Sequence, residues 1–174
     1  ARLSLNEAST VRDLKVKVKV GGNFRKSPRH CEFPPLRFKF KIDDIQGSLF
    51  AGNKKFKLVT PCIADRDVLK EYLVYKMYQE ISPMAFQVRL VNVTITDLSN
   101  RKPSMEFIGF LIEDDDILAE RNGGKIDKDQ IQTEQFNREQ VTQIAVFQYA
   151  IGNRDWDLVL QKNIKRLDRD GKHF

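Results

Sequence analysis

The chain has 174 residues, 41% of them hydrophobic and 31% charged, and its twelve Phe, four Tyr and one Trp supply enough bulky apolar surface for a real core. This composition excludes a disordered tail, and since no run approaches the ~20 apolar residues that cross a bilayer, we expect no membrane span. The net charge of +6 is uneven, because residues 1–70 carry 16 basic and 7 acidic side chains whereas residues 71–174 carry 14 and 17.

The first third of the chain predicts strands of an antiparallel sheet. Strand patterns run over 14–20, 36–43 and 56–59, and a Gly21-Gly22-Asn23 turn follows the first of them. Lys or Arg alternates with apolar residues in the first two patterns. We favour a solvent-facing side of the strands for these basic residues, and the other interpretation is a surface that attracts a polyanion.

A helix and a hairpin are predicted next. The helix runs over 66–80 with Asp65 as a candidate N-cap, and the strands 86–96 and 105–112 follow it, joined by a polar turn. Four apolar or aromatic residues at helical spacing form one stripe, which is typical of a helix that packs on a core. The stripe consists of Leu69, Tyr72, Leu73 and Met77.

The last third predicts one further helix and a polar loop. Asn137 and Gln140 have the spacing of a capping box, which starts a helix over 137–151. A polar loop follows over 152–163, and a short strand pattern over 164–167. The order of strands, helix, strands, helix and loop predicts an α+β fold with a mainly antiparallel sheet.

Cysteine and histidine are scarce. We expect no four-ligand Cys/His zinc site from this set, which consists of Cys31, Cys62, His30 and His173. The two cysteines form one disulfide or remain reduced core thiols, and their spacing leaves both states open.

Three elements follow one another in the order used for phosphoryl transfer. Lys57, or Lys55 beside it, stands in a strand directly before a helix, Glu71 stands in the first turns of that helix, and a later loop carries Asp155 and then Asn163. In protein kinases a strand Lys binds the nucleotide phosphates, a helix Glu orients it, and a loop Asp and Asn handle the acceptor hydroxyl and the metal. The joint order indicates a kinase-like protein.

Six blocks of sequence follow one another over about 33–168. These blocks are residues 33–40, 55–59, 69–78, 107–113, 118–123 and 151–157. In these blocks the sequence resembles the spore-coat protein H (CotH) kinase-like family, whose members have an atypical protein-kinase fold. It is also similar to a branch of uncharacterised bacterial proteins of that kind.

The resemblance implies a kinase-like small lobe over 1–113, with its sheet and the helix 66–80. It implies the beginning of a large lobe over 114–174, with the helix 137–151 and a catalytic-type loop over 152–163. It further implies a bacterial protein that is exported or lies in the cell envelope. In that setting a disulfide between Cys31 and Cys62 is the favoured state.

The resemblance also implies roles in nucleotide binding. Lys57 binds phosphate, Glu71 is its ion-pair partner, and Glu113 lies where the hinge between lobes approaches the adenine. Asn163 is a metal ligand. The expected cofactors are ATP and Mg²⁺ or Mn²⁺.

On the acceptor side, the resemblance makes Asp155 the catalytic residue that aligns the acceptor hydroxyl. Asp157 is its rival, because it stands six residues before Asn163 whereas Asp155 stands eight before it, and kinases use about five. The implied activity is transfer of phosphate from ATP to a protein or small-molecule hydroxyl. No specific nucleic-acid partner is expected, and the acceptor and the oligomeric state stay open.

Departures from the kinase pattern define an alternative. Arg154 replaces the usual histidine of the loop, and the second metal-binding Asp motif would come soon after Phe174. We therefore expect a truncated chain that is inactive as it stands. The alternative is a nonenzymatic, pseudokinase-like module for cell-envelope or coat assembly.

Overall fold

A computed structural model describes residues 1–7, 10–22, 25, 27, 29, 31, 33–62, 65–127 and 135–174. Over these residues the fold is α+β, with antiparallel sheets and three α-helices. The chain divides into two compact units. Unit 1 comprises Ala1–Met77 and Phe86–Asp114, and unit 2 comprises Tyr78–Ala85 and Asp115–Phe174.

Unit 1 contains a hairpin and a larger sheet. The hairpin is formed by β1 (Arg2–Glu7) and β2 (Thr10–Lys15). The strands of the larger sheet are β3 (Lys17–Val20), β4 (Leu36–Lys39), β5 (Lys55–Val59), β6 (Val88–Ile95) and β7 (Met105–Glu113). Their order is β3-β4-β5-β7-β6, and all neighbouring pairs are antiparallel.

The predicted strands of unit 1 are present with shifted ends. The pattern over 14–20 is divided at Val16, where β2 ends its pairing with β1 and β3 begins its pairing with β4. The pattern over 36–43 ends at Lys39, because the chain turns into a short 3-10 helix at Asp43–Ile45. Asn23 of the predicted turn lies outside the described residues.

Side chains on the two faces of the larger sheet belong to separate apolar clusters. On one face, Leu58 and Leu111 pack with Leu14 and Val16 of the hairpin region and with a group of aromatic rings in mutual contact. That group consists of Phe38, Phe40, Phe50 and Phe56. The second cluster lies on the opposite face and packs against a helix.

That helix is α1 (Asp65–Ile81), one residue longer at each end than predicted. The structure includes Asp65 in the helix, and the Asp65 side chain lies outside the described part. α1 packs through Val68, Tyr72 and Tyr75 against a cluster that also contains Val59, Phe110 and Ile112. Both tyrosine rings lie 5.8 Å from the Phe110 ring.

The predicted stripe on α1 is therefore wrong in three of its four members. Leu69, Leu73 and Met77 are 41%, 56% and 46% exposed. The buried side contains Tyr72 from the stripe, joined by Val68 and Tyr75 from outside it. Tyrosine rings bury more apolar area than leucine and pair with the Phe110 ring, which explains why this side of the helix faces the sheet.

Gly109 of β7 is required by the packing of the sheet. A Cβ at this position would lie 2.7 Å from the carbonyl oxygen of Val59, a backbone atom on the neighbouring strand. Any side chain at residue 109 therefore forces β5 and β7 apart.

Unit 2 combines two helices with a small sheet. Its elements are α2 (Asp115–Arg121), β8 (Lys125–Ile126), α3 (Arg138–Ala150), β9 (Leu167–Arg169) and β10 (Lys172–His173). The sheet order is β10-β9-β8. The Asn137 cap is confirmed, since its side chain accepts a hydrogen bond from the Gln140 backbone N–H at 3.0 Å. The predicted strand over 164–167 is shifted, because β9 begins only at Leu167.

A charged cluster lies inside unit 2. The carboxylate oxygen Oδ2 of Asp127 lies 3.6 Å from Nε of Arg166 and 3.1 Å from Nδ1 of His173. The Arg166 side chain is 2% exposed, and its guanidinium lies 5.9 Å from the centre of the Phe136 ring. Unit 2 thus encloses a compensated charge at its centre.

Cys31 and Cys62 form a disulfide in unit 1, with their Cα atoms 4.4 Å apart. The bond joins the segment that leads into β4 to the segment that follows β5, and Cys31 is buried. In the described part of the chain, no helix has the length and apolar character needed to cross a membrane.

Candidate functional site

Lys57 lies on the face of the larger sheet that α1 covers. In the register of β5, Lys57 is opposite Arg37 of β4 on one side and Ile112 of β7 on the other. Side chains alternate along a strand, so Lys57 and Val59 point to the same face, and Val59 packs against α1. The Lys57 side chain is half-buried. The structure thus places the predicted phosphate-binding Lys on the same side of the sheet as the predicted Glu-bearing helix.

Glu71 lies on α1 next to Tyr72, and its partner in the structure is an arginine. Nη2 of Arg25 donates a hydrogen bond to Oε2 of Glu71 at 3.2 Å, with both side chains about one-third exposed. Sequence reasoning missed Arg25. The signal available was its position just after the Gly21-Gly22 pair, in the connection between β3 and β4. The ion pair between Lys57 and Glu71 stays a prediction.

Glu113 ends β7 and is buried. Its Oε1 accepts a hydrogen bond from the backbone N–H of Gln87 at 2.7 Å, and its own backbone N–H donates to the Gln87 carbonyl at 3.1 Å. The next residue, Asp114, accepts a hydrogen bond from Nζ of Lys55 at 3.3 Å. These contacts fix the end of β7, so the segment predicted to approach the adenine has a defined backbone position in unit 1.

The loop after α3 brings together Asp155 and Asn163, which are further apart in sequence than the corresponding Asp and Asn of protein kinases. Asp157 and Lys162 exchange two backbone hydrogen bonds of 3.0 and 2.9 Å, which closes the loop on itself. As a result Nδ2 of Asn163 donates to Oδ2 of Asp155 at 3.0 Å and also to the Asp155 carbonyl. Nζ of Lys162 forms an ion pair with Oδ1 of Asp155.

The charge of Asp155 is set by these neighbours. The hydrogen bond from Lys162 lowers the pKa of Asp155 below its ordinary value of 3.8, and the positive charge of Lys162 and the hydrogen bond from Asn163 act in the same direction. The carboxylate is therefore ionised at neutral pH. An exposed, ionised carboxylate can align a hydroxyl by accepting its hydrogen bond.

Asp157 has a structural position in the same loop. Its Oδ1 accepts a hydrogen bond from the backbone N–H of Leu160 at 2.7 Å, which supports the turn. Lys162 is a site residue that sequence reasoning missed, although it directly precedes Asn163. Of the two candidate catalytic carboxylates, Asp155 is the one whose side chain contacts both Lys162 and Asn163.

The described residues do not form a divalent-metal centre. Over those residues there is no group of three or more His, Cys, Asp or Glu that could hold a metal ion. Both carboxylate oxygens of Asp155 interact with nitrogen donors, and the Asn163 contact is made through its amide nitrogen. We therefore derive no metal-dependent step for this part of the chain.

The predicted site residues fall into two groups. Unit 1 contains Lys57, Glu71 and Glu113, whereas unit 2 contains the loop with Asp155, Asp157 and Asn163. A surface depression in unit 1 contains none of these residues. It is lined by Asn92, Val93, Thr94, Glu106, Phe107 and Ile108.

Comparison with known proteins adds no relative: no protein-family model matches the sequence, and neither a curated protein nor a solved structure matches it.

Proposed function

We propose that this chain is a kinase-like module of the CotH-like kind, which binds ATP through Lys57 and serves transfer of phosphate to a protein or small-molecule hydroxyl. The position of Lys57 carries this proposal. It lies on the third strand of a five-stranded antiparallel sheet, on the face covered by the Glu71-bearing helix that follows. Protein kinases carry the phosphate-binding Lys on the third strand and its Glu partner on the next helix.

In this proposal the ammonium group of Lys57 binds phosphate oxygens as a point charge. Arg37 stands directly opposite Lys57 on β4, and Lys19 stands opposite Arg37 on β3. These neighbours add to the positive potential in which a triphosphate is held. We assign the adenine to the end of β7 at Glu113, whose position is fixed by its two hydrogen bonds with Gln87.

Within unit 2, we assign the binding of the acceptor hydroxyl to the loop after α3. The ionised carboxylate of Asp155 orients the acceptor hydroxyl, and Lys162 and Asn163 hold that carboxylate in place. These roles involve only residues of this chain. In the proposal, Mg²⁺ or Mn²⁺ binds together with the nucleotide. Divalent ions commonly bind through substrate phosphates with few protein ligands.

We further propose that the protein is bacterial and exported or part of the cell envelope. The disulfide between Cys31 and Cys62 supports this, because such bonds persist mainly in oxidising compartments.

Calorimetric titration with ATP tests the proposal, in buffer with Mg²⁺ and in buffer with a chelator. The wild-type chain is compared with Lys57→Ala and with the control Lys102→Ala, which removes an equal charge from an exposed turn. We expect binding by wild type and control and at least ~10-fold weaker binding by Lys57→Ala, about 1.4 kcal/mol. Absent binding by folded wild type, or equal binding by Lys57→Ala, overturns the proposal.

The second candidate function is a nonenzymatic kinase-like module for envelope or coat assembly. It is favoured by the pairing of Asp155 with Lys162 and by the absence of a metal-holding group among the described residues. It predicts ATP binding without release of phosphate. Phosphate transfer in a single-turnover assay with labelled ATP, abolished by Asp155→Ala, excludes the nonenzymatic candidate.

A further inference from the structure

One face of three adjacent strands in unit 1 carries six basic side chains, which we call the basic face. The register places Lys17, Lys39 and Lys55 in one row across β3, β4 and β5, and Lys19, Arg37 and Lys57 in the next. Strands lie about 4.8 Å apart, and residues on one face of a strand repeat about every 6.8 Å. Six positive charges are therefore grouped on a small patch of sheet.

This arrangement lowers the stability of the sheet, and packing does not explain why basic residues stand at these positions. All four cross-strand pairs within the two rows join like charges, and like charges placed directly opposite each other destabilise a sheet. Protection of a sheet edge accounts for basic residues on β3, which is an edge strand. It does not account for Arg37, Lys39, Lys55 and Lys57, because β4 and β5 are interior strands.

An acidic neighbour compensates the basic face on its β5 side, where Asp114 pairs with Lys55. Within the described residues, no ion pair involves the other four basic positions on β3 and β4. Those positions are Lys17, Lys19, Arg37 and Lys39, and all four are exposed.

The surroundings of the basic face restrict what can bind there. α1 packs on the same side of the sheet over Val59 and Phe110, and a helix is about 10 Å across. The basic face is therefore a sheet surface with α1 raised beside it. A narrow linear polymer can lie along this surface next to the helix, whereas a flat lipid surface cannot. The aromatic side chains of β4 and β5, Phe38 and Phe56, belong to the opposite face, so no ring on these strands is available to stack on a base.

The composition of the basic face also bears on its ligand. Five of the six residues are lysine, whose ammonium group binds phosphate as a point charge without the forked geometry of arginine. Such a surface selects for charge density and not for a shaped headgroup. We propose that the basic face binds a linear polyanion whose charges are phosphate groups and which carries no bases, a polyphosphate chain being the simplest example.

This inference goes beyond ATP binding, since it concerns β3 and β4 as well as Lys57. The test uses inorganic polyphosphate as the probe, with binding followed by fluorescence anisotropy of a labelled chain. One variant, which we call the β3–β4 variant, combines Lys17→Gln, Lys19→Gln and Lys39→Gln. A matched control combines Lys102→Gln, Lys125→Gln and Lys172→Gln, which are also exposed and remove the same charge.

We expect the β3–β4 variant to bind polyphosphate at least ~10-fold more weakly than the control variant. The slope of log K against log salt concentration should fall by about 2 to 3 in the β3–β4 variant, because about one phosphate contact is lost per lysine. Thermal melting of this variant should be unchanged or raised, because like-charge pairs are removed. Neither variant alters Lys57, and polyphosphate binding is measured without nucleotide, so a loss of binding is assigned to β3 and β4.

Three results overturn the inference. The first is equal weakening in the two variants, which reports net charge alone. The second is tighter binding of single-stranded DNA than of polyphosphate at equal charge, which shows that bases are recognised. The third is binding to vesicles of anionic lipid that competes with polyphosphate and persists in the β3–β4 variant.

Discussion

The two units stabilise their interiors by different means. In unit 1, two apolar clusters lie on the two faces of one sheet, and each consists of many side chains that share the burial. In unit 2, an arginine is fully enclosed with an aspartate and a histidine around one carboxylate oxygen. Apolar burial is distributed and tolerant, whereas a buried charge depends on each partner. We therefore expect unit 2 to be more vulnerable to a single polar substitution.

The largest predicted effect is that of Asp127→Ala in unit 2. The substitution leaves the guanidinium of Arg166 buried without this carboxylate, which costs about 3–5 kcal/mol of the free energy of unfolding. Trp156 is the one tryptophan of the chain and lies in unit 2, so its fluorescence during denaturation reports on that unit. The control is Glu120→Ala, at an exposed position of α2 in the same unit, and a loss below about 1 kcal/mol for Asp127→Ala would show that the buried charge is compensated otherwise.

A smaller effect is predicted in unit 1, where two positions on α1 are compared. Val68 is 2% exposed and contacts the second apolar cluster, so Val68→Ala should cost about 2 kcal/mol. Leu73→Ala should cost less than about 0.5 kcal/mol, because Leu73 is 56% exposed. Hydrogen exchange measured by mass spectrometry on peptides of β5 and β7 resolves the difference. A larger loss for Leu73→Ala than for Val68→Ala would restore the stripe expected from the sequence.

The smallest predicted effect concerns Tyr78 in unit 2. Burial raises the pKa of Tyr78 above its ordinary value of 10.0, against an opposing hydrogen bond with Ser82. Because the folded state favours the neutral phenol, this contribution to stability is complete below pH 10 and is lost as the pH rises through the higher folded-state pKa. The tyrosinate absorbance of wild type minus that of Tyr78→Phe isolates this titration. A midpoint at or below 10 would contradict the burial of Tyr78.

The parts of the fold that sequence predicted well are those set by local signals. The existence of α1 follows from apolar residues at helical spacing, and the start of α3 follows from the Asn137 cap. The strands β8 and β10 were not predicted and β9 was predicted with shifted ends, because strands of two or three residues carry no periodicity and their pairing depends on distant partners. The buried side of α1 was misjudged because several of its sides carry apolar residues and only the tertiary contact with Phe110 selects among them.

The candidate site was predictable in its residue types and not in its contacts. The eight-residue separation of Asp155 and Asn163 looked too long for a catalytic loop. The structure shortens it in space, because Asp157 and Lys162 pair and Asn163 adopts a left-handed conformation with φ of 56°. No spacing of residues in the sequence indicates backbone pairing of this kind. The basic face likewise required the register of three strands, which alternation within each strand does not supply.

One measurement tests the central claim, that Lys57 is the group that holds the nucleotide phosphates. An acyl-phosphate derivative of ATP acylates lysine amines that lie beside its phosphates, and peptide mass spectrometry identifies the labelled residue. The account predicts labelling of Lys57 that free ATP suppresses, with little suppression at Lys17, Lys19 or Lys39. Labelling spread over the basic face and unaffected by ATP would contradict the account and leave unit 1 without a nucleotide site.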